Sequence, residues 1–377
     1  MCMTTFCGEE CPLVSKIRLA TVFSGIGAIE QAFRRLQMPH SIVFACDNDK
    51  FVKQSYLSNY DIKEENWFDD IHNIDGTVFK NKVDIFVGGS PCQSFSMVGK
   101  RKGLEDFRGL LVYEFIRLIK EINPETFIFE NVKGLLSHDS GKTWKVLSDE
   151  FDKLGYKVHQ KVLNAKDFGI PQNRERLFVV GFKKKRVFNF PDPIELEITM
   201  QDLLEDVVAD KYFLPEKGIK FVTDTENLKK KYTQVNGSVA LCQKANQQFN
   251  WHGDFVASRS ENMDKYYLSD SVKDYVLATG TKDFYSKPET DLEIARPLLS
   301  TMAKMHRAGV DNYITRGKRL RKLTPRECLR LMGFPDDFKI VVSDTQMYKQ
   351  AGNSIVVDVL INVLLSIYVV YSMEEAV

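Results

Sequence analysis

The 377-residue chain has no excess of either charge: 52 Lys and Arg stand against 51 Asp and Glu, for a formal net charge of +1. Bulk electrostatics therefore neither demand nor exclude a nucleic-acid partner, and any bias lies in local clusters. No basic segment followed by an apolar stretch opens the chain, so no signal peptide is read. A long apolar run free of polar residues is also missing. The nearest, Ile355 to Tyr371, is short and contains Asp358 and Asn362, which predicts a buried terminal helix, not a membrane span. Paired cysteines are absent too. Cys2, Cys7, Cys11, Cys46, Cys92, Cys242 and Cys328 are odd in number, mostly scattered, and form no Cys-x-x-Cys pair. That pattern suits reduced thiols in a cytoplasm and gives no metal site. The hydrophobic fraction, 44%, and the charged fraction, 27%, are those of a soluble globular chain with room for two domains.

What is present first is alternation. Between residues 18 and 185, short apolar strands (Arg18–Phe23, Ser41–Cys46, Val83–Val87, Thr126–Phe129, Val158–Leu163, Leu177–Val180) alternate with helical patterns. The helices run through Phe33 and Leu36, from Asp49 to Tyr60, from Leu110 to the Asn123-Pro124 stop, and from Trp144 to Leu154 before Gly155. This rhythm predicts an α/β fold, a Rossmann-like sheet, parallel or mostly parallel, with helices on both faces. It breaks after Lys185. Residues 186–320 are more polar, with amides concentrated in Gln243–Asn250, and read as an irregular strand-and-loop lobe. A weak echo between Asp210–Leu214 and Asp264–Leu268 does not make a repeat. Helix returns at Pro325–Met332 and again from Ser354. The expected organisation is a flexible leader (1–16), a first domain (17–185), a second lobe (186–342) and a return to the first domain (343–377). The basic clusters Lys183–Arg186, Lys229–Lys231 and Arg316–Lys322 read, singly, as solvated surface.

Two strand ends carry chemistry. Gly88-Gly89-Ser90-Pro91-Cys92-Gln93-Ser94-Phe95-Ser96 ends an apolar strand abruptly and sets Cys92 at the carboxyl edge of the sheet, where open α/β folds bind ligands. On this stretch alone a nucleophile and an ordinary thiol both remain open. The first strand runs into Phe23-Ser24-Gly25-Ile26-Gly27-Ala28-Ile29-Glu30, where two glycines admit a ligand to the backbone. A dinucleotide fingerprint wants a third glycine, but Glu30 stands there, and a carboxylate sits poorly beside a pyrophosphate, so the turn fits a ligand without phosphates. Asp47-Asn48-Asp49 ends the second strand, where an acid can accept from ribose hydroxyls, and Asp70-Ile71 follows in a loop that can bond and pack on an adenine. Taken one at a time, each of these acids reads equally as a helix cap or a surface charge.

Further landmarks follow in order: Glu130-Asn131-Val132, Gln172-Asn173-Arg174-Glu175-Arg176 and Gln350-Ala351-Gly352-Asn353-Ser354. Together with the two strand ends, this ordered set resembles the DNA (cytosine-5)-methyltransferase family of the bacterial restriction–modification type, over about residues 18–185 and 321–370. The resemblance implies that Cys92 is the nucleophile, that Glu130 holds cytosine N3, and that Arg176 engages the base carbonyl with Arg174 as its neighbour. It implies S-adenosylmethionine as cofactor, bound by Phe23, Gly25, Ile26, Gly27, Asp47, Asn48, Asp70, Ile71, Pro91, Leu111, Asn353 and Ser354. Two departures show: Ser90 stands where many members have proline, and Asn48 where some place a tryptophan against the adenine.

The chemistry explains the residue types. Cytosine C5 is a poor nucleophile, and a thiolate added at C6 turns the ring into an enamine that attacks an electrophilic methyl group. An acid at N3 draws electrons from the ring, a role for which burial should raise the Glu130 pKa. The cytosine must leave the duplex for any of this. The glycine-rich stretch Ser94–Gly109, with Lys100, Arg101, Lys102 and Arg108, has the composition of a mobile basic lid on phosphates. Gln93 and Ser96 beside the thiol, with Gln247 and Gln248 in the amide-rich run, are candidate DNA contacts; an ordinary polar loop accounts for the amides equally well. The expected partner is double-stranded DNA, bound by a monomer in the nucleoid-associated cytoplasm, with a possible cognate endonuclease that need not bind. Three rivals are weighed. A transfer-RNA branch of the family carries a Cys-Phe-Thr motif that this chain lacks. A silent DNA-binding module would have lost Cys92, Glu130 or Arg176, all present here. A nicotinamide dehydrogenase fits poorly with Glu30 and the cysteine loop.

Overall fold

The computed structural model describes residues 16–91, 111–206, 208–230, 233–239, 251–258, 288–298, 311–316 and 319–375. The chain divides into two compact units. One comprises residues 1–163, 175–192 and 360–377, the other 164–174 and 193–359. Residues 343–359 thus fall in the second unit and the chain re-enters the first at Leu360.

The first unit is built on a seven-stranded sheet. In chain order its strands are β1 (Ile17–Val22), β2 (His40–Cys46), β3 (Trp67–Phe68), β4 (Ile85–Gly88), β5 (Thr126–Val132), β6 (Lys157–Asn164) and β7 (Glu175–Phe182). In space they are ordered β3-β2-β1-β4-β5-β7-β6. The pairs from β3 through β5 are parallel and β5–β7 is antiparallel, so the sheet is mostly parallel as expected. The strand order reverses at β1, between β2 and β4. In open α/β sheets a ligand crevice lies at such a reversal, outside the carboxyl ends of the strands.

The helices α1 (Ala28–Arg35), α2 (Lys50–Asn59), α3 (Leu111–Ile122) and α4 (Lys142–Lys153) connect these strands. Helix α3 turns Val112, Phe115, Leu118, Ile119 and Ile122 inward, the i, i+3, i+4 spacing of a helix lying on a sheet. Phe115 stacks on Phe86 with centroids 4.9 Å apart, and Phe127 on Phe151 at 5.3 Å, so aromatic rings tie the sheet to both α3 and α4. The cluster Lys183–Arg186 is not wholly solvated. Lys184 and Lys185 are exposed, but Arg186 is buried with its guanidinium 4.0 Å from the Tyr371 ring centroid.

In the second unit a five-stranded sheet has the order β10-β8-β9-β11-β12, from β8 (Thr233–Val239), β9 (Trp251–Ser258), β10 (Pro288–Ile294), β11 (Asp311–Arg316) and β12 (Arg319–Lys322). Its first three pairings are parallel and β11–β12 is an antiparallel hairpin, a more regular arrangement than strand-and-loop. Helices α5 (Glu216–Val222) and α6 (Thr225–Lys229) precede it, and Leu214, Ile219 and Val222 pack with Val235 and Phe255. Helix α7 (Pro325–Leu331) opens with a capping box between Thr324 and Glu327 and with proline in its first turn. Helix α8 (Asp344–Asn353), which the sequence reading does not include, follows.

Helix α9 (Val357–Glu375) closes the described chain. The stretch Asp344–Met373 is long and apolar enough, by composition, to cross a membrane. Within the first unit, however, Leu360, Val363, Leu364 and Ile367 are buried, a core stripe of the kind predicted. Tyr371 adds a hydrogen bond to Thr126 at 2.6 Å.

Candidate active site

The β1 end makes an unusual turn. Phe23, Gly25 and Gly27 all have positive φ, at 53°, 54° and 77°. A Cβ on Gly25 would meet nothing nearer than the Phe23 carbonyl at 4.0 Å, so its free side is open. A Cβ on Gly27 would stand 2.2 Å from the Tyr60 ring, so only glycine fits there. Tyr60 Oη lies 2.7 Å from the Gly27 carbonyl and 3.1 Å from that of Ile26. Asp47, at the end of β2, accepts from the Gly25 amide at 3.0 Å and the Asp49 amide at 3.1 Å. The acid is thereby fixed beside the glycine turn. Asn48 is exposed, and Asp49 caps α2 by accepting from the Phe51 amide.

Asp70 is exposed and caps the turn that follows it, accepting from the His72 amide at 3.0 Å and bonded to the His72 ring at 2.7 Å. These hydrogen bonds hold its carboxyl below the usual range. Ile71 is buried, and Arg117 of α3 donates to the carbonyls of Ile71 and Ile74. Pairing with Glu114 and Glu121 steadies that arginine. Leu111 begins α3 and packs partly against the core. The adenine-side residues named from sequence are thus set by a cap and by a helix arginine that sequence reading missed.

At the β4 end, Gly89 lies against Glu130: a Cβ there would meet the Glu130 carboxylate at 3.0 Å and its carbonyl at 3.1 Å. Ser90 is buried, and Asn131 donates to its carbonyl at 2.9 Å. The middle residue of Glu-Asn-Val therefore pins the turn just before exposed Pro91. Glu130 and Arg176 face each other across β5 and β7, Nε to Oε1 at 3.2 Å, with side chains 12% and 18% exposed. Cys92, Gln93, Ser96, Lys100, Arg101, Lys102, Arg108, Gln247 and Gln248 lie outside the described residues, as do the cysteines of the leader.

Within the second unit, Arg174 is buried and donates to the carbonyls of Gly352 at 3.0 Å and Ser354 at 2.8 Å. The Gln172 amide donates to the Leu331 carbonyl at 2.7 Å, and its oxygen accepts from the Leu298 amide at 3.0 Å. Arg174 thus works as a buckle for the Gly-Asn-Ser turn, in which Ser354 is buried and Asn353 exposed, while Gln172 ties Leu298 to Leu331. The two arginines of one short motif have separate duties.

The reversed sheet, the glycine turn after β1 and the acid after β2 define a Rossmann-like methyltransferase. The family model for C-5 cytosine-specific DNA methylases matches residues 17–368. A type II methyltransferase of Lactococcus lactis subsp. cremoris, M1.ScrFI, is 33% identical over 91% of this chain and 76% of its own length. M.HhaI of Haemophilus parahaemolyticus is 31% identical over 91% and 92% respectively. Among solved structures, a Spodoptera frugiperda DNMT2 mutant superposes with TM-score 0.63 at 18% identity, over 94% of this chain and all of that one, a likeness of fold. The chain belongs to the C-5 cytosine-specific DNA methylases, and is a DNA (cytosine-5-)-methyltransferase.

Proposed function

We propose that this enzyme transfers a methyl group from S-adenosylmethionine to C5 of a cytosine turned out of a specific double-stranded DNA sequence, through a transient bond between Cys92 and C6. The observation that carries the reading is the Glu130–Arg176 pair, fixed at the carboxyl edge against Gly89, three residues before Cys92. Carboxylate and guanidinium are the groups needed at N3 and at the base carbonyl.

The residues present fit the cofactor. The turn is open at Gly25 and carries no third glycine for a pyrophosphate, and Asp47 stands where a ribose would need an acceptor. Phe23, Gly25, Ile26, Gly27, Asp47, Asn48, Asp70, Ile71, Pro91 and Leu111 would hold it. When bound, S-adenosylmethionine supplies an electrophilic methyl group. The Cys92 thiolate adds to C6, Glu130 meets the charge at N3 with a proton, and Arg176 steadies the carbonyl. Once C5 carries the methyl group, loss of its proton to a base would let the C6–sulfur bond break, and return of the N3 proton to Glu130 would restore the aromatic ring. Gln93, Ser96 and the basic run Lys100, Arg101, Lys102 and Arg108 would close over the flipped base, and Gln247 and Gln248 would contribute to sequence reading. The enzyme acts as a monomer in the cytoplasm, and any cognate endonuclease need not bind it.

Bisulfite sequencing of DNA from cells expressing the chain tests this directly. One protected cytosine in a recurring short sequence is expected, and none with Cys92→Ser. Protection by the serine variant would remove the nucleophile, and no protection with a folded wild-type chain would overturn the reading.

A further inference from the structure

We infer that Glu30 is a positioning residue for the cofactor turn: held as a neutral carboxylic acid, it completes a hydrogen-bond chain from Tyr56 through Thr21 and Ser24 to the backbone of Cys46. The inference rests on the cofactor reading proposed above.

Glu30 lies in the first turn of α1 and is fully buried. Its Oε1 accepts from Tyr56 Oη at 2.5 Å and lies 3.2 Å from Thr21 Oγ1. Thr21 Oγ1 is 2.7 Å from Ser24 Oγ. Ser24 Oγ accepts from the Cys46 amide at 3.0 Å and lies 3.1 Å from the Cys46 carbonyl. Four contacts therefore link oxygen to oxygen: Tyr56 to Glu30, Glu30 to Thr21, Thr21 to Ser24, and Ser24 to Cys46. The three hydroxyls bring one proton each. A carboxylate brings none, so one contact would lack a hydrogen. A carboxylic acid brings the fourth, and the chain then runs in one direction with every link satisfied.

The other carboxyl oxygen points the same way. Oε2 is buried with no hydrogen-bond partner among the described residues. As half of an anion it would be a costly orphan; as the carbonyl of a neutral acid it is only an unused neutral acceptor. Burial pushes the Glu30 pKa up to about 7, although Tyr56, the Glu30 backbone and Thr21 would each donate to the anion. The titratable and charged groups along and beside the chain are Tyr56 on α2, Tyr60 just past its end with Arg34 of α1 over the ring, and the Cys46 thiol at the end of β2, whose backbone takes the last link. Burial drives Tyr56 above its ordinary value and Cys46 to about 12, so neither competes for the proton near neutrality. The last link of the chain is Ser24, between Phe23 and the Gly25 amide that bonds Asp47. Glu30 therefore governs the turn on which the cofactor would rest.

The test is calorimetric binding of S-adenosylmethionine to the whole chain from about pH 6 to about pH 8.5, with Glu30→Gln, Glu30→Ala and Thr21→Val. Wild-type affinity should fall about tenfold across this range, as one hydrogen bond in the chain is lost on ionisation. Glu30→Gln should bind within about threefold of wild type at the acid end and lack that extra fall, which separates Glu30 from titration of the ligand itself. Glu30→Ala and Thr21→Val should bind about tenfold more weakly throughout. A Gln variant that keeps the wild-type pH slope, or a folded Ala variant that binds normally, overturns the inference. A second readout needs no ligand. The folded-state pKa lies above the unfolded one, so Glu30 favours the fold below about pH 4.5 and loses that contribution as pH rises through about 7. The melting temperature of Glu30→Gln relative to wild type should therefore climb with pH. A flat difference would refute the neutral acid whether or not the cofactor binds. A folded wild-type chain that binds no S-adenosylmethionine while this difference climbs would overturn the cofactor reading and, with it, the role at the turn.

Discussion

Arg174 and Arg176 are two residues apart, carry the same charge, and do different work. Arg174 is buried and satisfies two backbone carbonyls; Arg176 is partly exposed and faces one carboxylate. Buried hydrogen bonds to a charged donor contribute roughly 1.5–3 kcal/mol each, so the two made by Arg174 should outweigh the ion pair of Arg176. Arg174→Ala should thus cost roughly 3 kcal/mol or more in denaturant unfolding, with a visible fall in melting temperature. Arg176→Ala leaves the mostly buried Glu130 carboxylate without that partner, so it should lose some stability, though less than Arg174→Ala, and should lose methyl transfer to DNA by about a hundredfold or more. Equal melting temperatures for both variants would contradict this division. The resemblance assigned the base carbonyl to Arg176 with Arg174 as its neighbour, but the buried backbone role of Arg174 was not legible, because it depends on residues 352–354, far along the chain. Glu30 was legible only as an obstacle to phosphate; Tyr56, 26 residues away, gives it a positive role.

Elements were read with uneven success, and the reasons are physical. Strands β1, β2, β4 and β5 announce themselves as apolar runs because parallel strands are covered on both faces. Strand β3 has two residues, too few to show any periodicity, and exists by pairing with Ala45 and Cys46. Helix α8 was missed because Gly352 and Asn353 end it and polar residues dilute it, although Met347, Tyr348 and Ala351 are buried at helical spacing. The glycine turn after β1 was visible as a pair of glycines, but its need for Gly27 was not, since the obstacle is the ring of Tyr60, the residue that follows α2. Gly27→Ala combines a positive φ with that clash. It should weaken S-adenosylmethionine binding by more than tenfold and cost about 1–3 kcal/mol in thermal unfolding. Gly25→Ala also carries the strained φ but meets open space, so its stability loss should be the smaller of the two.

For the molecule as a whole, charge balance is the fact with most reach. A net charge of +1 gives no general attraction to a polyanion, so affinity for DNA has to be concentrated in a few basic side chains. Changing Lys100, Arg101 and Lys102 to glutamine together should reduce the slope of log affinity against log salt by roughly 2–3. An unchanged slope in filter binding or fluorescence anisotropy would place the phosphate contacts elsewhere. The α/β first unit was readable because its alternation is local. The second unit's sheet was not, because strands such as β8, Thr-Gln-Val-Asn-Gly-Ser-Val, and β10, Pro-Glu-Thr-Asp-Leu-Glu-Ile, carry few apolar residues to announce them.

The route of the backbone has a temporal consequence. The first compact unit takes in residues 360–377, and the Thr126 hydroxyl is hydrogen-bonded to Tyr371. Domains generally fold as units while the ribosome is still working. Here the opening α/β segment emerges early but has to wait for Leu360 and the residues after it before its own core is covered. A prematurely terminated polypeptide would therefore expose an unfinished hydrophobic face, making it a substrate for chaperones and proteases rather than a partly competent DNA-modifying agent.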